Sequence, residues 1–64
     1  MIDTSTMTDN DKRLLAEAFA MSDYTNWGKV EAMVDKADSK EAKELLHSRA
    51  SSLYHTDEFY AWMQ

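Results

Sequence analysis

The residues best suited to chemistry are two histidines, a glutamate and a group of serines in the second half of the chain. Glu44 and His47 have the Glu-x-x-His spacing of helical carboxylate-bridged di-metal sites. Those sites need two such motifs and two further carboxylates that face inward, whereas this chain has one motif. On a helix, His47 also falls away from the apolar stripe. We therefore expect no metal site and no other cofactor.

Serines near the histidines suggest nucleophilic catalysis as a second kind of chemistry. Ser48, Ser51 and Ser52 lie close in sequence to His47 and His55. A catalytic serine needs a base that is itself oriented by a third group, and the three must meet in a pocket. A chain of 64 residues has little volume in which to build one. We expect exposed serines on a helix, and predict that the protein is not an enzyme.

These residues belong to the strongest helix signal in the chain, residues 38–54. Asp38 is followed three residues later by Glu41, which is an acidic form of the capping box that begins a helix. Apolar residues then recur at three- and four-residue steps, which places them on one side of a helix. They are Ala42, Leu45, Leu46, Ala50 and Leu53. The pattern predicts a helix over about residues 39–54, and its apolar stripe makes it the scaffold of the fold.

Arg49 interrupts this stripe, because at about 100° per residue it falls between Leu46 and Leu53. In one interpretation its aliphatic stem lies along the two leucines and its guanidinium group reaches a carboxylate, Asp57 or Glu58. In the other, Arg49 belongs to a surface that binds a partner. The sequence is compatible with both.

Two earlier segments also have helical patterns. The first covers about residues 9–22, with Thr8 as its N-cap and Asp11 three residues later. The second covers about residues 26–37. Because few residues separate it from the next helix, the two should form a tight helical hairpin.

A short fourth helix is expected over about residues 57–63, after a joint at His55 and with Thr56 as its N-cap. Such a short segment is not helical alone in water, so it must dock on its own core or on a partner. Tyr and Trp are enriched in protein–protein hot spots, and this end of the chain combines them with acidic residues. The candidate partner-binding residues are Arg49, Tyr54, Asp57, Glu58, Tyr60 and Trp62.

Composition fixes the fold class. The chain has no proline and one glycine, and its β-branched residues are scattered. These features predict an all-α fold, a small compact bundle of three main helices plus a short C-terminal helix. Residues 1–7 are expected to form a flexible N-terminal arm, and residues 8–64 a single helical domain.

The net charge of −5 lies at the two ends of the chain. Residues 1–24 carry −3, residues 25–50 are balanced and residues 51–64 carry −2. Acidic proteins are poor ligands for nucleic acid, because Lys and Arg contacts to phosphate supply most of that affinity. The chain has no cysteine, no signal peptide pattern and no apolar run that could span a membrane. We expect a cytoplasmic protein that binds neither membranes nor nucleic acid directly.

These features favour a small acidic protein-interaction module. It would be an adaptor or inhibitor that binds a larger protein with a basic surface, such as one that handles nucleic acid. Accessory proteins of phages and mobile elements often have this size and charge. The alternative is a homo-oligomeric structural or assembly subunit, which would bury the surplus aromatic residues in a symmetric interface, a homodimer in the simplest case. A helix-turn-helix DNA binder is a weaker alternative, because Glu41 and Glu44 offset Lys40 and Lys43.

Overall fold

The computed structural model describes residues 7–63, and that part of the chain contains three α-helices and no strand. Helix α1 is Asp9–Ala20, α2 is Trp27–Val34 and α3 is Lys40–Met63, and a 3-10 turn, Tyr24–Asn26, leads into α2. The all-α class is therefore confirmed. Of the proposed N-terminal arm, residues 1–6 lie outside the described part, and Met7 is buried.

Helix α3 packs against both α1 and α2, so it forms the centre of the bundle. Its inner side has the predicted stripe except for Leu45, which is only partly buried, and one or two buried residues from each other helix meet it. The buried core residues are Leu14, Ala18, Val30, Ala37, Ala42, Leu46, Ala50 and Leu53. Half of these are alanines, so small side chains form much of the core.

The N-terminus of α1 has the cap that its sequence predicts. The backbone N–H of Asp11 donates to Thr8 Oγ1 at 3.2 Å, and the backbone N–H of Thr8 donates to Asp11 Oδ2 at 3.4 Å. This reciprocal pair is a complete capping box. It satisfies two backbone donors that the first turn of the helix leaves free.

The predicted cap of α3 was wrong by one residue. The helix begins at Lys40, and the backbone N–H of Ala42 donates to Ser39 Oγ at 3.2 Å, so Ser39 occupies the cap position. Asp38 instead accepts from Thr8 Oγ1 at 2.7 Å. The cause is Asp11, which accepts from the backbone N–H groups of both Asp38 and Ser39 and holds this link against the start of α1.

The predicted joint at His55 and Thr56 is also wrong, because α3 runs without a break to Met63. Thr56 Oγ1 donates to the carbonyl of Ser52, one turn earlier, at 3.0 Å. Thr56 therefore bonds as an interior residue of a helix and does not act as an N-cap. Neither glycine nor proline interrupts this region. At 1.5 Å per residue the 24-residue helix is about 36 Å long, most of the 43 Å long axis of the molecule.

Replacing Thr56 by alanine distinguishes a continuous helix from two helices joined at this point. In a continuous helix the substitution is expected to stabilise the protein by about 0.5 kcal/mol, because alanine has the higher helix propensity. An N-cap threonine would instead lose about 1 kcal/mol. The measurement is urea unfolding followed by circular dichroism, and a clear loss of stability would contradict the continuous helix.

Candidate protein-interaction surface

The six predicted site residues all lie on α3, five of them in its second half, but the structure does not bring them onto one surface. Arg49 and Asp57 are half-buried and bond to other parts of the fold. Tyr60 is exposed in part and stacks on the 3-10 turn. Glu58 and Trp62 are exposed. The set therefore divides into residues that hold α3 in place and residues that face water.

Arg49 caps the C-terminal end of α1. Its Nη2 donates to the carbonyl of Met21 at 2.6 Å and its Nε to the carbonyl of Ala18 at 3.4 Å, while the guanidinium carbon lies 5.6 Å from the centre of the Phe19 ring. The last carbonyls of a helix lack partners and carry partial negative charge, and the last turn of α1 has no basic residue of its own. The predicted carboxylate partner, Asp57 or Glu58, is therefore corrected to backbone carbonyls.

Asp57 fixes the second half of α3 to the start of α2. Its Oδ2 accepts from Trp27 Nε1 at 3.0 Å. The Tyr54 ring meets the Trp27 ring edge-on, with their centres 5.0 Å apart. A partly buried indole N–H needs a hydrogen-bond acceptor, and Asp57 supplies it. This carboxylate is thus already engaged by the fold.

Tyr60 docks the next turn of α3 in the same way. Its ring stacks on Tyr24 with centres 5.0 Å apart and planes 18° from parallel. The Phe59 and Tyr60 rings meet edge-on with their centres 5.7 Å apart, but 55% of Phe59 remains exposed. The sequence left open whether this segment docks on its own core or on a partner. Tyr60 and the Asp57 carboxylate dock on the protein itself, and the remaining large side chains face water.

Phe59, Trp62 and Met63 form the exposed side, which we call the terminal apolar face. Trp62 is 81% exposed and Met63 60% exposed. Their i, i+3, i+4 spacing places all three next to one another on α3, with Phe59 and Trp62 opposite the buried stripe and Met63 to one side of it. Phe59 and Met63 were absent from the predicted site. The signal that could have found them is this spacing, because it lies out of phase with Leu46, Ala50 and Leu53.

The charges beside this face are acidic. After Arg49 the only charged residues in the sequence, with histidine counted as neutral, are Asp57 and Glu58. Glu58 has a side chain that is 63% exposed and lies 3.8 Å from His55 Nδ1. Since the Arg49 guanidinium bonds to α1, this end of α3 presents a net negative surface.

The residues considered for chemistry lie elsewhere. His47 Nδ1 is 3.4 Å from Glu31 Oε2 on α2, and both side chains are about half exposed or more. Over residues 7–63, no three side chains of the histidine, aspartate and glutamate types are grouped so that they could hold a metal ion. Nor does any helix in this range combine the length and apolar character needed to cross a membrane.

Comparison of the chain with protein-family models, curated proteins and solved structures gives no match. Its functional assignment therefore depends on the surface chemistry of α3.

Proposed function

We propose that the protein is a small acidic interaction module, an adaptor or inhibitor that binds a larger protein through the terminal apolar face. The observation that carries this proposal is the exposure of Trp62, 81%, beside two further large apolar side chains. Grouped apolar residues on the surface of a small protein commonly mark interaction sites, and tryptophan is among the residues most enriched in binding hot spots.

Charge narrows the class of target. The net charge of −5 and the acidic end of α3 disfavour phosphate-rich ligands such as nucleic acid or an anionic membrane surface. A protein with a basic surface is favoured, and proteins that handle nucleic acid carry such surfaces. Within the same proposal we place the chain among accessory proteins of the phage or mobile-element type, on its size and acidity.

A binding role is also favoured over catalysis by the places of the polar side chains. His47, His55 and Ser48 are exposed on the surface of α3, so water surrounds the groups that catalysis would need to desolvate. The buried polar side chain of the described region, Asp11, bonds to backbone N–H groups and joins helix ends. Its interactions are those of a structural residue.

The double substitution Phe59→Ala and Trp62→Ala is expected to weaken partner binding at least tenfold, because it removes the two largest exposed rings of the face. The unaltered protein, immobilised and exposed to lysate of its native host, should retain a partner that the variant loses. Affinity is then measured by calorimetry with that partner in purified form. Phe19→Ala is the matched control, since Phe19 is 53% exposed and Phe59 55%, and Phe19 lies on α1.

The proposal would be contradicted if the double variant and the unaltered protein retained the partner equally. It would also be contradicted if no protein purified from the retained fraction bound the unaltered protein. Circular dichroism should show the same helix content in all three proteins, since both altered positions are exposed. Loss of binding in Phe19→Ala at unchanged stability would move the interface to α1.

The terminal apolar face also fits the second candidate function, a homo-oligomeric assembly subunit. In that case Phe59, Trp62 and Met63 would bury themselves against a second copy. Sedimentation separates the two functions. A monomer over a wide concentration range favours the interaction module, and a dimer that Trp62→Ala dissociates favours the assembly subunit.

A further inference from the structure

The end of α3 carries large apolar side chains around most of its circumference, in addition to those of the terminal apolar face. Tyr54 is 43% and Tyr60 45% exposed. At about 100° per residue, Tyr54 and Met63 point to opposite sides of the helix. A partner that contacts one side of α3 therefore leaves part of this apolar surface in water.

This end of α3 also extends past α1. The Arg49 guanidinium marks the C-terminal end of α1, because it bonds to the carbonyls of Ala18 and Met21. Helix α3 continues to Met63, about 21 Å further at 1.5 Å per residue. Over this distance Tyr24 and Trp27 cover its inner side. The other sides are accessible to a partner.

The exposed area favours a partner that surrounds the helix. With about 200 Å² for each large side chain, the exposed fractions give roughly 400 Å² for the terminal apolar face and roughly 600 Å² when both tyrosines are included. Two copies that meet through the face alone would bury roughly 800 Å² in total, less than the roughly 1,200 Å² of a stable interface. A groove that buries all five side chains, together with the polar residues around them, would bury the usual area of roughly 800 Å² on each partner.

Charge complementarity selects the rim of that groove. Asp57 and Glu58 are the only formally charged residues beyond Arg49, and both are acidic. A second copy would bring the same acidic residues to the interface, which is unfavourable. A groove bordered by Lys and Arg would instead pair with the exposed Glu58 carboxylate.

We infer that the end of α3, from Tyr54 to Met63, inserts as a helix into an apolar groove with a cationic rim on the larger partner. This chain supplies the helix and the partner supplies the groove. The inference rests on the proposed function and adds to it the shape and charge of the partner's site.

Photo-crosslinking from the full chain in cells of its native host tests this geometry. p-Benzoylphenylalanine replaces Tyr54, Met63 or Ser48, one position in each variant. We expect Tyr54 and Met63, on opposite sides of the helix, to crosslink to the same larger protein. Ser48 is the control, because it is exposed on the half of α3 that packs against α1, and it should give no crosslink. With that protein purified, Glu58→Lys should weaken binding about tenfold, and the loss should shrink at high salt.

Each other result overturns the inference in a distinguishable way. Crosslinks from Met63 and none from Tyr54 mean a flat partner, which leaves the proposed function intact. An equal yield from Ser48 means that the partner lies along the whole of α3. Crosslinks to a second copy of the chain, or none from any position, overturn the inference and the proposed function together. Unchanged or tighter binding by Glu58→Lys excludes the cationic rim.

Discussion

Arg49→Met is expected to lower the free energy of unfolding by about 2 kcal/mol, because it removes charge-assisted hydrogen bonds to the carbonyls of Ala18 and Met21. Methionine keeps most of the aliphatic stem, so the loss reports chiefly on the guanidinium group. A 64-residue domain has a total stability of roughly 3–10 kcal/mol, so this is a substantial share. Urea unfolding followed by circular dichroism measures it.

Lys43→Met is the matched control for Arg49→Met, since it removes a positive charge from an exposed position on the same helix. We expect it to change stability by less than about 0.5 kcal/mol. The loss of stability in Arg49→Lys should lie between those of Arg49→Met and Lys43→Met. An ammonium group keeps the charge but lacks the planar guanidinium group that reaches two carbonyls. If Arg49→Met and Lys43→Met are equally stable, the guanidinium contributes nothing to the fold.

The same variant separates structure from binding. Arg49 was a candidate for the partner surface, but its hydrogen-bonding groups point to α1. At a temperature where Arg49→Met is fully folded, we expect it to bind the partner as well as the unaltered protein does. A selective loss of binding would return Arg49 to the interface.

Periodicity identified Arg49 as unusual without identifying its partner. A cation within an apolar stripe must bring its charge to an acceptor, and this much follows from the sequence. Two acidic residues, Asp57 and Glu58, lie a little more than two turns further along the chain and looked suitable. The acceptors are carbonyls at the end of α1, and backbone groups have no sequence signal until the packing of two helices is known.

Local signals predicted local structure well. The helical pattern predicted the all-α class, and Thr8 is the expected N-cap of α1, where it forms a capping box with Asp11. The prediction for the link before α3 was wrong because tertiary contacts compete with local ones. Asp38 is a good N-cap by type, but Thr8 and Asp11 engage it from 27 to 30 residues away, and Ser39 takes the cap.

The expected joint within α3 failed for a related reason. His55 and Thr56 are weak helix formers, and Thr56 with two acidic residues behind it resembles a helix start. The helix continues because its later turns pack: Asp57 accepts from Trp27, and Tyr60 stacks on Tyr24. Those contacts span more than 29 residues, so no local pattern could have predicted them. They also decide which aromatic residues turn inward and leave Phe59 and Trp62 exposed.

Asp11→Asn is expected to lower the melting temperature at neutral pH more than Arg49→Met does. The Asp11 side chain is fully buried, and its two oxygens accept from the backbone N–H groups of Asp38 at 2.6 Å, Ser39 at 3.2 Å and Thr8 at 3.4 Å. An asparagine has one acceptor oxygen, so its NH2 group must face at least one backbone N–H. In either orientation the link before α3 loses a hydrogen-bond acceptor, and where the NH2 group takes the place of Oδ2 the cap of α1 loses one as well.

The pH dependence of stability provides the second signature of Asp11. The hydrogen bond from the Asp38 backbone N–H is the main cause that holds the pKa of Asp11 below its ordinary value of 3.8, against the opposing effect of burial. A carboxylate with a lowered pKa in the folded state stabilises the protein above its unfolded-state value, and this contribution is lost as the pH falls through the folded-state value. As the pH is lowered past about 3.8, the melting temperature of the unaltered protein should therefore decrease, and that of Asp11→Asn should decrease less.

Asp9→Asn is the control for both measurements, because it makes the same chemical change in the same first turn of α1 at an exposed position. Its melting temperature at neutral pH should stay close to that of the unaltered protein, and its acid dependence should be nearly unchanged. Asp23 also has a lowered pKa, caused by hydrogen bonds from Thr25, so part of the acid dependence should persist in Asp11→Asn. If Asp11→Asn and the unaltered protein lose stability in parallel on acidification, the carboxylate of Asp11 does not join the start of α1 to the start of α3 as its hydrogen bonds indicate.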